Sequence, residues 1–381
     1  MDFDLSEEHK IFRQAIRDFV EKEMEPLVEQ AEEEEKFPIE LMPKMGRLGY
    51  LCPRYPVEYG GGGMGRIGEC ILLEEVGKVC FGIATALDMQ FGLGTAALFG
   101  HGNEEQKEKY LMPAIKGEKI AAFGLTEPNA GSDAASIETT AKRDGNFYII
   151  NGNKMFISNG PICDFVTLVV YTDKSKGSRG GMSFIIVDKD TPGFGVRKLR
   201  KMCQHSAETG ELTFTECRVP VGNLIGEEGK GMSYVRESLT GGRISHAARS
   251  LGGAQRVFEE SLKYAKERVQ FGQPIGQFQA ISFKLARMAM EIEAARWITY
   301  HAAWMDDQNQ PCLKEATMCK LFASEVVNRA TDEAMQIHGG YAFMMDSPIQ
   351  RFYRDARVIS ITAGTSEILQ LIIARQIGLK W

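Results

Sequence analysis

The chain has no Cys-x-x-Cys pair, and its eight cysteines (52, 70, 80, 163, 203, 217, 312 and 319) are scattered over 381 residues. The nearest two, Cys312 and Cys319, have no histidine cluster beside them. This spacing predicts reduced core thiols, with neither a metal site nor a disulfide framework. No run of Lys and Arg occurs and the net charge is -6, which argues against a nucleic-acid surface. No stretch approaches the ~20 uninterrupted apolar residues of a membrane span. Met1 to Ser6 leads almost directly into an amphipathic pattern, with no basic-then-apolar leader and no Arg/Ser-rich transit segment. The expected location is the cytoplasm. Internal repeats and low-complexity segments are also absent.

The hydrophobic content of 44% and the charged content of 25% are those of a globular protein, and the length predicts two or three domains. Residues 1–117 read as helical, with Phe12, Ala15, Ile16, Phe19 and Val20 at three-to-four spacing. The glycine-rich stretch from Tyr59 to Gly65 follows no Val/Ile strand and precedes no Gly-Lys-Ser/Thr, so it reads as a flexible loop and not a phosphate cradle. Residues 118–228 change texture. An Asp144-Gly145 turn and short β-rich runs at 146–150, 165–171, 183–187 and 211–214 predict an antiparallel β-barrel or sandwich. Residues 229–381 return to helical periods at 244–269, 278–306, 312–338 and 365–377, which suit a helix bundle. The fold class is therefore α+β and multidomain, in the order helices, sheet, helices.

Five stretches carry chemistry. They are Phe123 to Asp133 (FGLTEPNAGSD), Lys154 to Gly160 (KMFISNG), Arg268 to Ile275 (RVQFGQPI), Gln336 to Tyr341 (QIHGGY) and Thr362 to Glu367 (TAGTSE). Each has an ordinary reading, such as a turn, a glycine-stopped helix or a strand packing Phe156 into the core. Taken together, in this order and at these intervals, they resemble the acyl-CoA dehydrogenase family along nearly the whole chain.

That resemblance implies an N-terminal α-helical domain, a middle β-domain and a C-terminal four-helix bundle, assembled as a homotetramer. It also implies one FAD per subunit, a CoA thioester substrate and an electron-transfer flavoprotein as acceptor. By position, Phe123, Leu125, Thr126, Gly131 and Ser132 would line the flavin, with Ser132 at the border with the thioester. Phe156 would cover the isoalloxazine beside Ile157, and Ser158 would bond near N5. Arg268, Gln270, Phe271, Gln279, Gln336, Gly339 and Gly340 would hold the adenine and pyrophosphate end, partly across a subunit interface. Thr365 and Glu367 would meet FAD at the last helix. Thr240, Gly242, Arg243 and Gly364 would face the substrate, with Arg243 on the CoA moiety.

The resemblance also requires a base, and here the base is missing. The family loop usually reads Tyr-Glu-Gly-Thr, whereas this chain has Thr362-Ala363-Gly364-Thr365. Some members carry the Glu at the position of Gly242, so both sites are vacant. Three readings stay open: an inactive flavin and acyl-CoA-binding relic, another carboxylate doing the usual 1,2-dehydrogenation of a short, branched or cyclic acyl-CoA, or a base moved to suit a different carbon. The backbone N–H of Ala363 would still serve as an oxyanion donor.

Asp88 is the replacement candidate, set among Ala86, Leu87 and Met89 in a stretch the family places at the distal acyl pocket. An Asp in apolar surroundings is expensive to ionise, which tunes it toward the working range of a base. Its structural alternative is an Asp at a helix kink, satisfied by backbone N–H groups or a buried Arg. A base so far down the pocket suits a vinylogous γ-proton. In a cyclohex-1-ene-1-carboxyl thioester, proton loss at C3 and hydride loss at C6 give the cyclohexa-1,5-diene, and oxidation toward benzoyl-CoA would follow downhill. The resemblance thus extends to the cyclohex-1-ene-1-carboxyl-CoA dehydrogenases of anaerobic aromatic metabolism. Two departures stand out. Cys203 and His205 replace a Gly and an Arg and read as surface-strand substitutions, and Thr240 stands where an Asp is common.

Overall fold

Ser6 starts the first helix by accepting a bond from the His9 N–H, and Glu7–Phe19 buries Phe12, Ile16 and Phe19 on one face. The computed structural model describes residues 4–379, so Met1–Phe3 and Lys380–Trp381, at the ends of the outer domains, lie outside the described residues. Helices fill the chain from Glu7 to Ile115. The glycine-rich loop is not the flexible segment the sequence suggested. Gly62 N–H donates to Cys52, Gly63 to Tyr55 and Met64 to Pro53. A Cβ on Gly61 would sit 2.2 Å from the Tyr55 carbonyl oxygen, so glycine serves close packing there.

Eight strands follow: β1 (Ala121–Gly124), β2 (Thr140–Asp144), β3 (Phe147–Ser158), β4 (Phe165–Tyr171), β5 (Met182–Asp188), β6 (Phe194–Lys198), β7 (Thr209–Pro220) and β8 (Leu224–Ile225). Their order is β6-β7-β3-β2-β4-β5-β8, with β1 beside β4. The sheet is mixed and not purely antiparallel, because β1 and β2 each meet β4 in parallel. The β3–β7 register shifts between Lys154 and Ile157, and Phe156 in the gap has φ +62°. This bulge turns Phe156 outward, leaving it 67% exposed and overturning the core-packed alternative.

Three long helices, Gly231–Glu267, Gln279–Asp307 and Leu313–His338, are joined by Pro348–Ile359 and Ser366–Gln376. The first begins at Gly231, well before Ile244. Its early turns carry Gly241 against the Arg66 guanidinium and Gly242 against Leu93, so close packing overrides poor helix propensity. Helix Pro348–Ile359, outside the helical periods expected for this region, buries Ile349, Phe352, Ala356 and Ile359 at three-to-four spacing. Ser347 caps it. All eight cysteines are free and buried. Among the described residues no helix is long and apolar enough to cross a membrane.

Candidate active site

The apolar run around Asp88 folds as a broken helix. Phe81–Asp88 is α-helical, Met89–Leu93 forms a wider π-turn and Gly94–His101 resumes the α-helix. Such turns recur where a side chain must be re-aimed. Buried Gln90 fixes the break to the sheet. Its amide donates to the Ala114 and Lys119 carbonyls at 2.9 and 2.7 Å, and its oxygen accepts from the Ala121 N–H at 2.8 Å. Asn159, just past the Phe156 bulge, donates to the Ala86 carbonyl at 2.9 Å. The end of β3 and the Asp88 helix therefore hold each other in place.

Asp88 is buried, but its surroundings are not the apolar ones its sequence neighbours suggested. Helix Gly231–Glu267 brings His246 Nδ1 to 3.3 Å and Arg249 Nη1 to 3.8 Å from Asp88 Oδ2. Both features of the structural alternative are present, a kink and a buried Arg. Yet Arg249 lies beyond hydrogen-bond reach, and Asp88 Oδ1 has no partner among the described residues. His246 Nδ1 is 2.9 Å from the Gly242 carbonyl oxygen, which requires the proton on Nδ1. Burial, then the charge of Arg249, push this imidazole down to about 4 against the pull of Asp88, so it is neutral at pH 7. Arg249 donates to Thr85 at 2.5 Å, Thr85 to Gln204 at 2.9 Å, and the Gln204 N–H to Asp355 at 2.5 Å.

The Thr362–Thr365 loop lies beside the same cluster. Ala363 has φ +54° and Gly364 +99°. For Ala363 this left-handed conformation costs on the order of 1–2 kcal/mol, which the loop must outweigh. Among the described residues nothing accepts from the Ala363 N–H. Buried Lys320 donates to the Gly364 carbonyl at 2.8 Å, and burial, with Arg249 and Arg243 adding to it, pushes its ammonium down to about 7. Thr365 caps the last helix, accepting from Ile368 N–H at 3.3 Å, and Glu367 is exposed in its first turn. Arg243 is buried in the bundle, 3.4 Å from Thr317 Oγ1, with its Nε unpartnered. Gly242 is buried, and Thr240, half-buried, donates to its own helix at Arg236.

Two further groups complete the set. On the sheet, Phe123, Leu125 and Ile157 are buried, Thr126 and Ser158 half-buried, and Gly131 and Ser132 exposed. Lys154 holds them together by donating to Glu127 at 2.7 Å and to the Leu125 carbonyl at 3.0 Å. Burial pushes its amine down to about 8 against the opposing pull of Glu127. On the bundle, Arg268, Gln270, Gly339 and Gly340 line a cavity of about 600 Å³ with Tyr264 and Tyr341. Phe271 is 95% exposed, and Gln279 and Gln336 are exposed outside that cavity. Cys203 and His205 are not on a strand. Cys203 is buried, its thiol pushed up to about 11 by burial, and His205 lies half-buried near the Lys201 carbonyl.

Sequence reasoning missed Gln90, Asn159, Lys154, His246 and Arg249. Gln90 carried a signal, a polar residue inside an apolar run, whereas His246 and Arg249 carried none, because only packing brings them to Asp88.

Comparison with known proteins accounts for this arrangement. Residues 6–118, 122–217 and 229–378 match the N-terminal, middle and C-terminal domain models of acyl-CoA dehydrogenase. A probable acyl-CoA dehydrogenase of Bacillus subtilis is 44% identical over 99% of this chain and 100% of its own. A caffeyl-CoA reductase–Etf complex subunit of Acetobacterium woodii is 41% identical over 97% and 98%. The butyryl-CoA dehydrogenase structure from Megasphaera elsdenii superposes with a TM-score of 0.96 at 39% identity, covering 99% and 100%. With all three domains matched in order, and the loop, bulge and bundle cavity where its motifs fall, the chain belongs to the acyl-CoA dehydrogenase family and is an FAD-dependent oxidoreductase.

Proposed function

We propose that this chain carries out a 1,4-elimination on an alicyclic CoA thioester, cyclohex-1-ene-1-carboxyl-CoA, with Asp88 as proton acceptor. The observation that carries this reading is the conjunction of the buried Asp88 carboxylate, which like Asp355 keeps one oxygen without a partner, with a reactive loop that has Ala363 in place of a base. A carboxyl group is normally buried only with its bonds satisfied.

FAD fits the residues present. Gly131, Gly339 and Gly340 face open space where a Cβ would meet nothing within 4 Å. Phe156 and Phe271 offer exposed aromatic faces, and the capped N-terminus at Thr365 suits a phosphate. FAD, when bound, supplies the acceptor for a hydride and its two electrons. Lys154 and Glu127 hold the 123–133 loop against β3, and Arg268 and Gln270 take the polar end of the cofactor. Ser132, Thr240, Gly242, Arg243 and Gly364 remain the substrate-facing set.

The Ala363 N–H polarises the thioester carbonyl. A C3 proton is acidic only because the C1=C2 bond makes it vinylogous to that carbonyl. Asp88 takes it, and the electron pair moves into a dienolate that the Ala363 N–H stabilises. Loss of hydride from C6 then leaves double bonds at C1–C6 and C2–C3, the cyclohexa-1,5-diene.

The location is taken as the cytoplasm, without nucleic-acid partners. The relative that works in an Etf complex supports an electron-transfer flavoprotein as acceptor. Exposed Phe283, Trp304, Phe343 and Met345 support a tetramer that covers them.

The named relatives favour a second reading, ordinary 1,2-chemistry on a short or aryl thioester. Anaerobic mixing separates the two. Cyclohex-1-ene-1-carboxyl-CoA should bleach the flavin and yield the diene, while butyryl-CoA and cyclohexanecarboxyl-CoA leave it oxidised. Fast bleaching by butyryl-CoA alone would establish the second reading, and spectral perturbation without bleaching by any thioester would mark an inactive binder.

A further inference from the structure

We infer that His246 and Arg249 are positioning residues that hold Asp88 in its charged form and leave Oδ1 free to take the proton. This rests on the reading of Asp88 as the base.

A buried charge is costly. An isolated carboxylate in a protein interior takes up a proton unless charges or donors stabilise its ionised form. Every polar group around Asp88 bears on this balance. Its own helix contributes Thr85 and Gln90, which bond elsewhere. The long helix contributes His246 and Arg249, with Arg243 further along it, and Leu313–His338 contributes Lys320. The 203–207 loop contributes Gln204, and Asp355 stands behind it. The nearest charge is the Arg249 guanidinium, while the imidazole of His246, closer still, is neutral.

The geometry divides the two oxygens. Both close partners address Oδ2, at 3.3 and 3.8 Å, and neither addresses Oδ1. Oδ1 lies against Gly92, where a Cβ would come within 2.8 Å of that oxygen, so only glycine leaves it unobstructed on that side. The Nδ1 proton of His246 is held by the Gly242 carbonyl and offered sideways to Asp88, so this imidazole orients the carboxylate without accepting its proton at Nδ1. The Arg249 guanidinium is tied back through Thr85, Gln204 and Asp355. At 3.8 Å it supplies charge without forming the hydrogen bond that would quench a base.

The test is the pH profile of anaerobic flavin bleaching by cyclohex-1-ene-1-carboxyl-CoA, using FAD-loaded protein from pH 5 to 9. Arg249→Gln removes the cation, so the acid limb should move up by about one to three pH units. On the acid side of the limb the rate should fall by up to about 10-fold for each unit moved, returning near the wild-type rate at high pH. Arg249→Lys keeps the charge and should keep the wild-type profile. His246→Ala should move the limb in the same direction by less, and serves if Arg249→Gln fails to hold FAD. A folded, FAD-loaded Arg249→Gln protein with an unmoved acid limb overturns the inference, as does a rate lowered equally at every pH. If Asp88→Asn itself bleaches at the wild-type rate, the reading of Asp88 as the base fails. If Asp88→Asn is inactive and the acid limb stays fixed, only the inference fails.

Discussion

Asp88→Asn is expected to lower the rate of flavin bleaching by cyclohex-1-ene-1-carboxyl-CoA by about 10²- to 10⁴-fold, the usual contribution of a positioned general base. Asn keeps the volume and planarity of the side chain, so Gly92 and the π-turn have no steric reason to shift. What changes is the charge. The amide cannot accept the C3 proton, and Arg249 loses its nearest carboxylate. Breaking a close buried pair costs about 3–5 kcal/mol, and at 3.8 Å the loss should fall below that range. The variant should therefore melt at a lower temperature yet bind FAD and the thioester. Stopped-flow bleaching, read beside the melting curve and the flavin spectrum, separates lost chemistry from lost fold. Bleaching at the wild-type rate would remove Asp88 from the mechanism.

Ala363→Glu is expected to raise 1,2-dehydrogenation of a saturated thioester well above the wild-type rate. Restoring a carboxylate to the loop should raise bleaching by a saturated ring thioester, cyclohexanecarboxyl-CoA, by at least about 10²-fold over wild type. The backbone is already prepared for the change. Ala363 holds φ +54°, and the strain there belongs to its Cβ, so a longer side chain adds little to it. The new carboxylate would enter a neighbourhood with Lys320 on the next carbonyl and two buried arginines nearby, which favours its charged form. The ring-alkene reaction should persist, because Asp88 is untouched. No gain with the saturated thioester, in a variant that still binds FAD, would show that a missing loop carboxylate is not what separates this chain from 1,2-chemistry.

How far the sequence carried this account depended on the range over which each feature is encoded. Periods of three to four residues and the Asp144-Gly145 turn are local, and they announced helices, then sheet, then helices. In the sequence the period of Gly231–Glu267 starts only at Ile244, because Gly241 and Gly242 signal weakness in isolation and their packing on Arg66 and Leu93 is a long-range fact. Helix Pro348–Ile359 is encoded locally as well, with Ile349, Phe352, Ala356 and Ile359 at helical spacing between three arginines. Asp88 stood out as one charge in an apolar run. Its partners did not, since His246 and Arg249 lie some 160 residues further along the chain and only packing brings them near. The Phe156 bulge was likewise hidden, because its cause is a register shift against β7.

The central claim is that the proton leaves ring carbon C3. Cyclohex-1-ene-1-carboxyl-CoA carrying two deuterium atoms at C3 tests it directly. The account predicts slower anaerobic bleaching than with the unlabelled thioester and release of one C3 deuterium to water. A product that keeps both, formed at an undiminished rate, would contradict it.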